Sequence, residues 1–278
     1  MGIHDLLLGK KEKSQLKGAG IMLYIEPTGG LCNRMRALNS AIFLADKAGI
    51  RLSLVWLVTW DMGAPVTHLF ELPSFISIIE SNQTSIVQEL EKKAGKVMDQ
   101  EELANLFYNH YPMEELFEFF PSIYMRTGGI VYKNQHFHYF KPIDQLQKII
   151  NQYISNFDQN VIGIHIRRTD NENAIKYSTT EAFIIAMELE IIKNPQVKFY
   201  LATDSPEIEN LFIKRYQNRV IFHSKEFRRD TEKSIQDAVI DLYCLASTQK
   251  ILASYWSSFS DIAAEINHIE KKVIYQES

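Results

Sequence analysis

The second half of the chain alternates two kinds of segment, short apolar runs typical of buried strands and longer stretches with helical periodicity. The predicted strands lie near residues 161–166, 197–203, 219–222, 249–253 and 272–275, and the predicted helices lie near 180–193, 206–217, 234–247 and 257–268. Alternation without interruption predicts a parallel sheet that helices cover on both faces.

The first half opens with a strand, a glycine turn and a helix. An apolar run covers residues 21–26, the turn follows at 27–30, and amphipathic spacing predicts a helix over 31–48. A second buried strand is expected at 51–59, which completes one βαβ unit. Residues 66–125 show no comparable alternation, so the pattern there predicts less.

These patterns divide the 278 residues into three parts. Residues 1–20 are rich in lysine and contain an apolar cluster too short for a secretory signal, so we expect a disordered leader. An N-terminal Rossmann-like domain is expected over 21–157 and a C-terminal one over 158–278. The predicted fold class is therefore α/β.

Composition and charge narrow the classes of function. Hydrophobic residues make up 46% and charged residues 23%, as in globular proteins, and no run supplies the roughly 20 apolar residues of a membrane span. A net charge of -4 argues against a nucleic-acid partner but permits a small anionic ligand. Cys32 and Cys244 lie far apart, so neither a disulfide framework nor a zinc site is indicated.

Polar residues follow each predicted strand of the second half at the point where the strand ends. These residues are His165 to Asp170, Thr203 and Asp204, His223 and Ser224, and Ser254 to Ser260. Because the carboxyl ends of parallel strands meet at one edge of a sheet, and ligands of open α/β sheets bind there, we expect a binding site at this edge.

Two features of this edge suit an anion. Arg167 and Arg168 follow a buried strand directly, and arginine grips a diphosphate through paired hydrogen bonds; surface arginines on a solvated loop are the alternative. Ser257 and Ser258 open a predicted helix, where hydroxyls and free backbone N–H groups favour an anion. An ordinary helix cap would also explain these serines.

Asp237 and Asp241 lie four residues apart and therefore on one face of a predicted helix. The residues around them are apolar, so at least one of the two carboxylates needs a hydrogen-bond donor in a buried setting. The two adjacent N–H donors of guanine would serve, and an internal arginine or a backbone N–H would serve equally well.

Four strings of the second half occur in the order of a known motif series. They are His165-Ile166-Arg167-Arg168-Thr169-Asp170, Tyr200-Leu201-Ala202-Thr203-Asp204, Asp237-Ala238-Val239-Ile240-Asp241, and Ser254-Tyr255-Trp256-Ser257-Ser258. This series resembles that of the α1,6-fucosyltransferases and their bacterial and protein O-fucosylating relatives. The N-terminal Gly29-Gly30-Leu31-Cys32-Asn33-Arg34 also resembles the turn with which many of these enzymes begin.

The resemblance implies a GT-B arrangement, in which two Rossmann-like domains face each other across a cleft and GDP-fucose binds mainly to the C-terminal one. The implied donor site contains His165, Arg167, Arg168, Asp204, Asp241, Ser257 and Ser258, and Gly29, Gly30, Asn33 and Arg34 are implied to reach the cleft from the other domain. In this scheme Arg167 binds the β-phosphate, Asp241 accepts from guanine and Ser257 binds the diphosphate. No cofactor and no divalent metal are implied.

The implied activity is inverting transfer of fucose from GDP-fucose to a hydroxyl of a glycan. Because the sequence indicates neither a secretory signal nor a membrane span, we expect an oligosaccharide or lipid-linked glycan as acceptor, in the cytoplasm or peripheral to the inner face of the membrane. A general base is required, and at the position of the family's glutamate this chain has Ile175. Glu172 is the nearest substitute, with Asp170 and Asp61 as rivals. Two alternatives remain open, an inactive nucleotide-binding scaffold of the same fold and a transferase that uses another GDP-linked sugar.

Overall fold

The computed structural model describes residues 20–133 and 136–276, so the predicted leader lies outside the described residues except for Gly20. Strands are β1 Met22–Pro27, β2 Arg51–Leu57, β3 Phe70–Glu71, β4 Ile76–Ser81, β5 Lys96–Met98, β6 Ser122–Thr127, β7 Lys141–Pro142, β8 Val161–Ile166, β9 Lys198–Thr203, β10 Val220–Phe222, β11 Lys250–Ala253 and β12 Glu270–Val273. Helices are α1 Leu31–Ala48, α2 Ser85–Lys93, α3 Gln100–Tyr108, α4 Asp144–Ile154, α5 Glu172–Tyr177, α6 Thr180–Lys193, α7 Pro206–Tyr216, α8 Glu232–Ala246 and α9 Ser258–Asn267.

The chain divides into two compact units. Within the described residues the first comprises 20–66 and 72–133, and the second comprises 67–71 and 136–276. This division falls earlier than the domain boundary expected after residue 157, because α4 packs on α8 of the second unit and β7 pairs with β3 there.

The first unit contains a five-stranded sheet with strand order β4-β2-β1-β6-β5. All its neighbouring strands are parallel. In the central strand β1, Leu23 and Ile25 are at 0% exposure and the charged Glu26 is also buried, at 6%. Strand β1 is flanked by β2 and β6, and the turn that follows it leads into α1.

The second unit contains another parallel sheet of five strands, in the order β10-β9-β8-β11-β12. The chain moves outward from β8 through β9 to β10 and then crosses to β11 on the other side of β8. This is the strand order of a Rossmann fold, and its direction reverses between β8 and β11. The crevice beyond the carboxyl ends of β8 and β11 is therefore where the topology favours a ligand.

Tight packing holds β8 at the centre of this sheet. Every residue of the strand is buried. A Cβ added at Gly163 would lie 2.7 Å from Thr248 Oγ1 and 2.9 Å from Leu245 Cδ2, so the strand and α8 approach too closely for a larger residue. The carboxyl end of β8 is consequently a rigid support for the loop that follows it.

The predicted alternation of the second half is confirmed, since every predicted strand and helix lies within two residues of the observed one. The α/β class and the two Rossmann-like units are confirmed as well. Strands β4 to β6 were not assigned from the sequence. No helix in the described ranges combines the length and the apolar character that a bilayer crossing requires.

Candidate functional site

The loops that follow β8 and β11 are joined by hydrogen bonds at the switch point of the second sheet. The backbone N–H of Arg167 donates to Ser254 Oγ at 3.0 Å, and the N–H of Ser254 donates to the carbonyl of His165 at 3.0 Å. Further out, Asn171 Nδ2 donates to the carbonyl of Trp256 at 2.8 Å. The arginine loop and the serine loop thus form one edge.

The guanidinium of Arg167 lies at this edge and contacts an internal carboxylate. Its Nε donates to Asp170 Oδ1 at 2.8 Å and its NH2 donates to Oδ2 at 2.9 Å. Burial alone would raise the pKa of Asp170, but the contacts with Arg229 and Arg167 outweigh it and lower that pKa. Arg167 therefore already binds an anionic group in this structure.

Arg168 points away from that edge and supports the loop from beneath. Its NH2 donates to the carbonyl of Ser178 at 2.7 Å, its NH1 donates to the carbonyl of Arg167 at 2.8 Å, and its guanidinium lies over the ring of Phe183. Burial lowers the pKa of Arg168. This geometry places the guanidinium in the loop scaffold, unlike the donor contact expected from the sequence.

Asp204 fixes the backbone of the same loop. Its Oδ1 accepts from the N–H of Arg168 at 2.7 Å, and its Oδ2 accepts from the Thr169 hydroxyl at 2.7 Å. These bonds hold Arg168 and Thr169 in one conformation. The structure therefore gives Asp204 a positioning role beside the expected donor site.

Ser257 presents a buried hydroxyl without a partner. The residue is 1% exposed and precedes α9, yet its side chain forms no cap hydrogen bond to that helix. Among the described residues its Oγ has no hydrogen-bond partner at all. An unsatisfied buried hydroxyl costs free energy, so a ligand that accepts a hydrogen bond here would be stabilised. Ser258, the first residue of α9, is half-buried.

His165 is the second buried group at this edge with an unsatisfied atom. Its side chain is 6% exposed and stacks on the ring of Phe259, with centroids 5.0 Å apart. Among the described residues its Nδ1 has no hydrogen-bond partner. Burial lowers the pKa of His165 to about 3, so the imidazole is neutral near pH 7.

We expect His165 to make stability depend on pH. The unfolded chain takes up a proton at His165 below about pH 6.5, whereas the folded protein does not until about pH 3, so stability falls as the pH drops through this window. Between pH 7 and pH 5 the loss from this group is about 2 kcal/mol. Urea unfolding at the two pH values should show this extra loss in the wild type and not in His165→Phe; equal losses would contradict it.

Asp241 is buried at 4% exposure and obtains its donors from within the protein. The Tyr200 hydroxyl donates to Oδ1 at 2.7 Å, and Lys225 Nζ donates to Oδ2 at 2.6 Å. The sequence left open whether guanine, an internal arginine or a backbone N–H supplies the donor for this carboxylate. In the structure the charged donor is an internal side chain, but it is a lysine and not an arginine. Burial acts to lower the pKa of Lys225, but Asp241 and Glu209 outweigh it and the pKa is raised.

Asp237 is 1% exposed and ends a buried hydrogen-bonded chain. His223 Nε2 lies 2.7 Å from Asp237 Oδ1, and His223 Nδ1 lies 3.2 Å from the Tyr153 hydroxyl. The ammonium of Lys233 and the N–H of Glu226 also donate to this carboxylate. The chain ties α8 to α4 and to the end of β10, so Asp237 has a structural role.

Among the candidate bases, Glu172 is exposed as the first residue of α5, beyond the N-cap residue Asn171. Asp170 is engaged by arginine, as described above. Ile175 is 41% exposed on the same helix and carries no titratable group. Asp61 belongs to the first unit, where it accepts from the Thr59 hydroxyl at 2.6 Å.

The glycine turn of the first unit follows β1 at the point where that sheet also reverses direction. Gly29 has φ of +77°, and a Cβ there would lie 3.0 Å from Asn33 Nδ2, so a side chain at this position would be strained. Gly30 is the N-cap residue of α1. Asn33 is half-buried in the first turn of that helix.

Arg34, which the resemblance implies reaches the cleft from this turn, is 3% exposed. Its guanidinium donates to the carbonyls of Gly29 and Leu57 and to the Thr59 hydroxyl, at 2.8, 2.6 and 2.9 Å. It also lies 5.0 Å from the ring centroid of Trp56. Burial lowers the pKa of Arg34 to about 10, and the residue joins the end of β2 to the glycine turn.

Sequence reasoning missed Lys225 and Arg229, which follow β10. Lys225 is 6% exposed in its side chain and pairs with Asp241, and Arg229 NH1 donates to Asp170 Oδ2 at 2.8 Å. Both residues lie beyond Ser224 in the loop that follows β10, so their position after a strand is the signal in the sequence that points to them. Within residues 20–133 and 136–276, no group of three or more His, Cys, Asp or Glu side chains is placed to hold a metal ion.

The strand order and the site at its switch point define the class of fold, an α/β protein of two Rossmann-like units. Solved structures of fucosyltransferases share it. NodZ α-1,6-fucosyltransferase soaked with GDP-fucose superposes with a TM-score of 0.60 at 16% identity, over 90% of this chain and 93% of that chain. A further NodZ structure, from Bradyrhizobium, gives a TM-score of 0.59 at 17% identity and covers 89% and 92% of the two chains.

A FUT1 mutant of Arabidopsis thaliana in complex with GDP gives a TM-score of 0.65 at 12% identity, over 95% of this chain and 72% of that chain. No protein-family model matches the sequence, and comparison with curated proteins gave no significant match. The chain thus shares the α/β fold of these fucosyltransferases, with two Rossmann-like units, which confirms the predicted fold class.

Proposed function

We propose that the protein is an inverting glycosyltransferase that moves fucose from GDP-fucose to a hydroxyl group of a glycan. One observation carries this proposal. At the switch point of the second sheet, the loop that bears Arg167 is hydrogen-bonded to the loop that bears Ser257, whose buried hydroxyl has no hydrogen-bond partner within residues 20–133 and 136–276. A cation and an unsatisfied hydroxyl at the start of a helix suit a diphosphate.

In this proposal the diphosphate takes the place that Asp170 holds beside Arg167. The guanidinium forms charge-assisted hydrogen bonds to phosphate oxygens, and Ser257 Oγ together with the N–H groups of the first turn of α9 supplies further donors. Charge that develops on GDP as it leaves is stabilised by the same groups, so no divalent metal is required.

Guanine recognition is proposed at the carboxylate of Asp241, which is 4% exposed. Asp241 remains the candidate acceptor for the guanine N–H groups. Since a carboxylate has about four acceptor positions, hydrogen bonds from Tyr200 and Lys225 leave it able to accept from a base.

The reaction we propose is a single displacement at the anomeric carbon. The oxygen of the acceptor hydroxyl forms a bond to C1 of fucose, the bond between C1 and the β-phosphate oxygen breaks, and GDP leaves with the electron pair. The hydroxyl proton passes to a carboxylate. Attack from the side opposite to GDP inverts the configuration at C1.

We propose Glu172 as the base and expect Glu172→Gln to lower kcat by about 100-fold or more, because proton transfer is lost, with the affinity for GDP unchanged. Release of GDP from GDP-fucose measures this, with water as acceptor. Glu181→Gln, an exposed acid in the first turn of α6, is the matched control. A loss in Asp170→Asn together with full activity in Glu172→Gln would move the base to Asp170.

The acceptor is proposed to be an oligosaccharide or a lipid-linked glycan, met in the cytoplasm or at the inner face of a membrane. Exposed aromatic rings in the first unit suit stacking on sugars, since Trp60 is 82% and Tyr108 is 77% exposed. Trp56 is fully buried and donates its Nε1–H to the carbonyl of Ala64 at 2.9 Å, so it is a core residue.

Thermal shifts with GDP, UDP, ADP and dTDP test the nucleotide, because only a ligand that binds the native state stabilises it. We expect GDP to raise the unfolding temperature most. Turnover of GDP-fucose with release of GDP then separates the proposal from its rivals. Tight GDP binding without turnover would favour an inactive scaffold, an alternative that the isoleucine at position 175 supports. Turnover of another GDP-linked sugar, with none of GDP-fucose, would show that fucose is not the sugar transferred.

A further inference from the structure

Two guanidinium groups from different loops converge on one carboxylate oxygen at the edge of the second sheet. Arg167 NH2 donates to Asp170 Oδ2 at 2.9 Å, and Arg229 NH1 donates to the same oxygen at 2.8 Å. Arg167 follows β8, whereas Arg229 lies between β10 and α8. The two side chains are therefore brought together by tertiary structure and by a shared anion.

This cluster carries an excess of positive charge. Two guanidiniums and one carboxylate give a formal net charge of +1. The nearest acid along the chain, Asp230, is engaged by Arg228. The two guanidiniums repel each other, and an anion between them offsets this repulsion. The pair of arginines therefore favours binding of a group that carries more negative charge than one carboxylate.

The serine loop is hydrogen-bonded to the backbone of the loop that bears Arg167, since the N–H of Arg167 donates to Ser254 Oγ. Three residues further on, Ser257 is 1% exposed and its hydroxyl has no hydrogen-bond partner in the part of the chain that the structure describes. Ser257 precedes α9, a helix of ten residues whose N-terminus favours negative charge. A phosphate group bound between Arg167 and Ser257 would accept hydrogen bonds from the loops after β8 and β11. Arg229 would add a donor from the loop after β10.

We propose that Arg229 is a second diphosphate-binding residue, which shares the phosphates of GDP with Arg167, and that Asp170 holds both arginines until the nucleotide displaces it. The assignment rests on the proposed function, since it concerns the same donor site. Upon GDP binding, the phosphate oxygens replace Asp170 Oδ2 as the shared acceptor, and the Asp170 carboxylate leaves the two guanidiniums.

The test is calorimetric titration of GDP, GMP and guanosine into wild type, Arg229→Ala and Arg228→Ala. Arg228 is the matched control, because it is a neighbouring exposed arginine whose partner, Asp230, lies in the same loop. We expect Arg229→Ala to weaken GDP about 10- to 100-fold, as the loss of a charged hydrogen bond does, with guanosine unchanged. Arg228→Ala should bind GDP like the wild type.

A second comparison separates direct binding from an effect transmitted by Asp170. In the Asp170→Asn background, adding Arg229→Ala should still weaken GDP if Arg229 contacts phosphate, whereas disappearance of the effect would show that Arg229 acts only by holding Asp170 and would overturn the assignment. Equal GDP affinity in Arg229→Ala and Arg228→Ala would also overturn it. If the wild type itself binds GDP no better than guanosine, the proposed function fails instead.

Discussion

Replacing Arg167 with alanine is expected to lower the rate of GDP release from GDP-fucose by at least about 100-fold, because a charged donor to the leaving group is removed. GDP should also bind more weakly, while the unfolding temperature changes little. The side chain is 23% exposed and contacts Asp170, which keeps its ion pair with Arg229 in the variant. Steady-state kinetics and thermal unfolding measure both effects.

Arg168→Ala is the control for this prediction, since the two arginines are adjacent but point to different places. The guanidinium of Arg168 donates a hydrogen bond to the carbonyl of Ser178 and so belongs to the internal scaffold of the loop. We therefore expect a smaller loss of turnover and a lower unfolding temperature. Equal loss of turnover in the two variants, at equal stability, would contradict the geometry of the arginine loop.

Replacing Lys225 with methionine is expected to destabilise the protein by about 3–5 kcal/mol, because it leaves the charge of Asp241 buried without its cationic partner. Nζ lies 2.6 Å from Asp241 Oδ2, with side-chain exposures of 6% and 5%. Glu209 Oε2 lies 3.4 Å from the same ammonium and would lose its partner as well. Urea unfolding followed by circular dichroism measures the change.

Two further variants make this result specific. Lys225→Met combined with Asp241→Asn removes the buried charge and should recover much of the lost stability. Lys93→Met removes one partner of an exposed pair with Glu89 and should leave stability unchanged. Destabilisation by Lys225→Met no larger than that by Lys93→Met would show that the pair is not buried as described.

The central strands β9, β8 and β11 of the second sheet could be predicted from sequence because they are largely buried. Strand β8 is buried at every position, and apart from His165 its residues form an apolar run that ends where the arginine loop begins. Strands β4 and β5 lie at the edges of the first sheet and are only partly buried, with charged or polar residues among the apolar ones. Their pattern is weaker than that of a central strand, whereas the edge strands β10 and β12 of the second sheet were predicted from the alternation of strands and helices around them.

The part of the candidate site that depends on where the strands end could be predicted from the sequence. The order of the strands sets the loops of Arg167 and Ser257 side by side, which the rule on strand ends anticipates. What a side chain contacts depends on tertiary packing, so the sequence did not reveal that Arg34 is buried against Trp56 or that Lys225 pairs with Asp241. The sequence alone does not distinguish an arginine that binds a ligand from one that is buried in the core.

The most direct measurement is a crystal structure of the protein with GDP. We predict a phosphate oxygen within about 3 Å of the Arg167 guanidinium and another within the same distance of Ser257 Oγ, at the carboxyl ends of β8 and β11. Density for the diphosphate elsewhere, with Arg167 still bound to Asp170 and Ser257 still without a partner, would contradict the account.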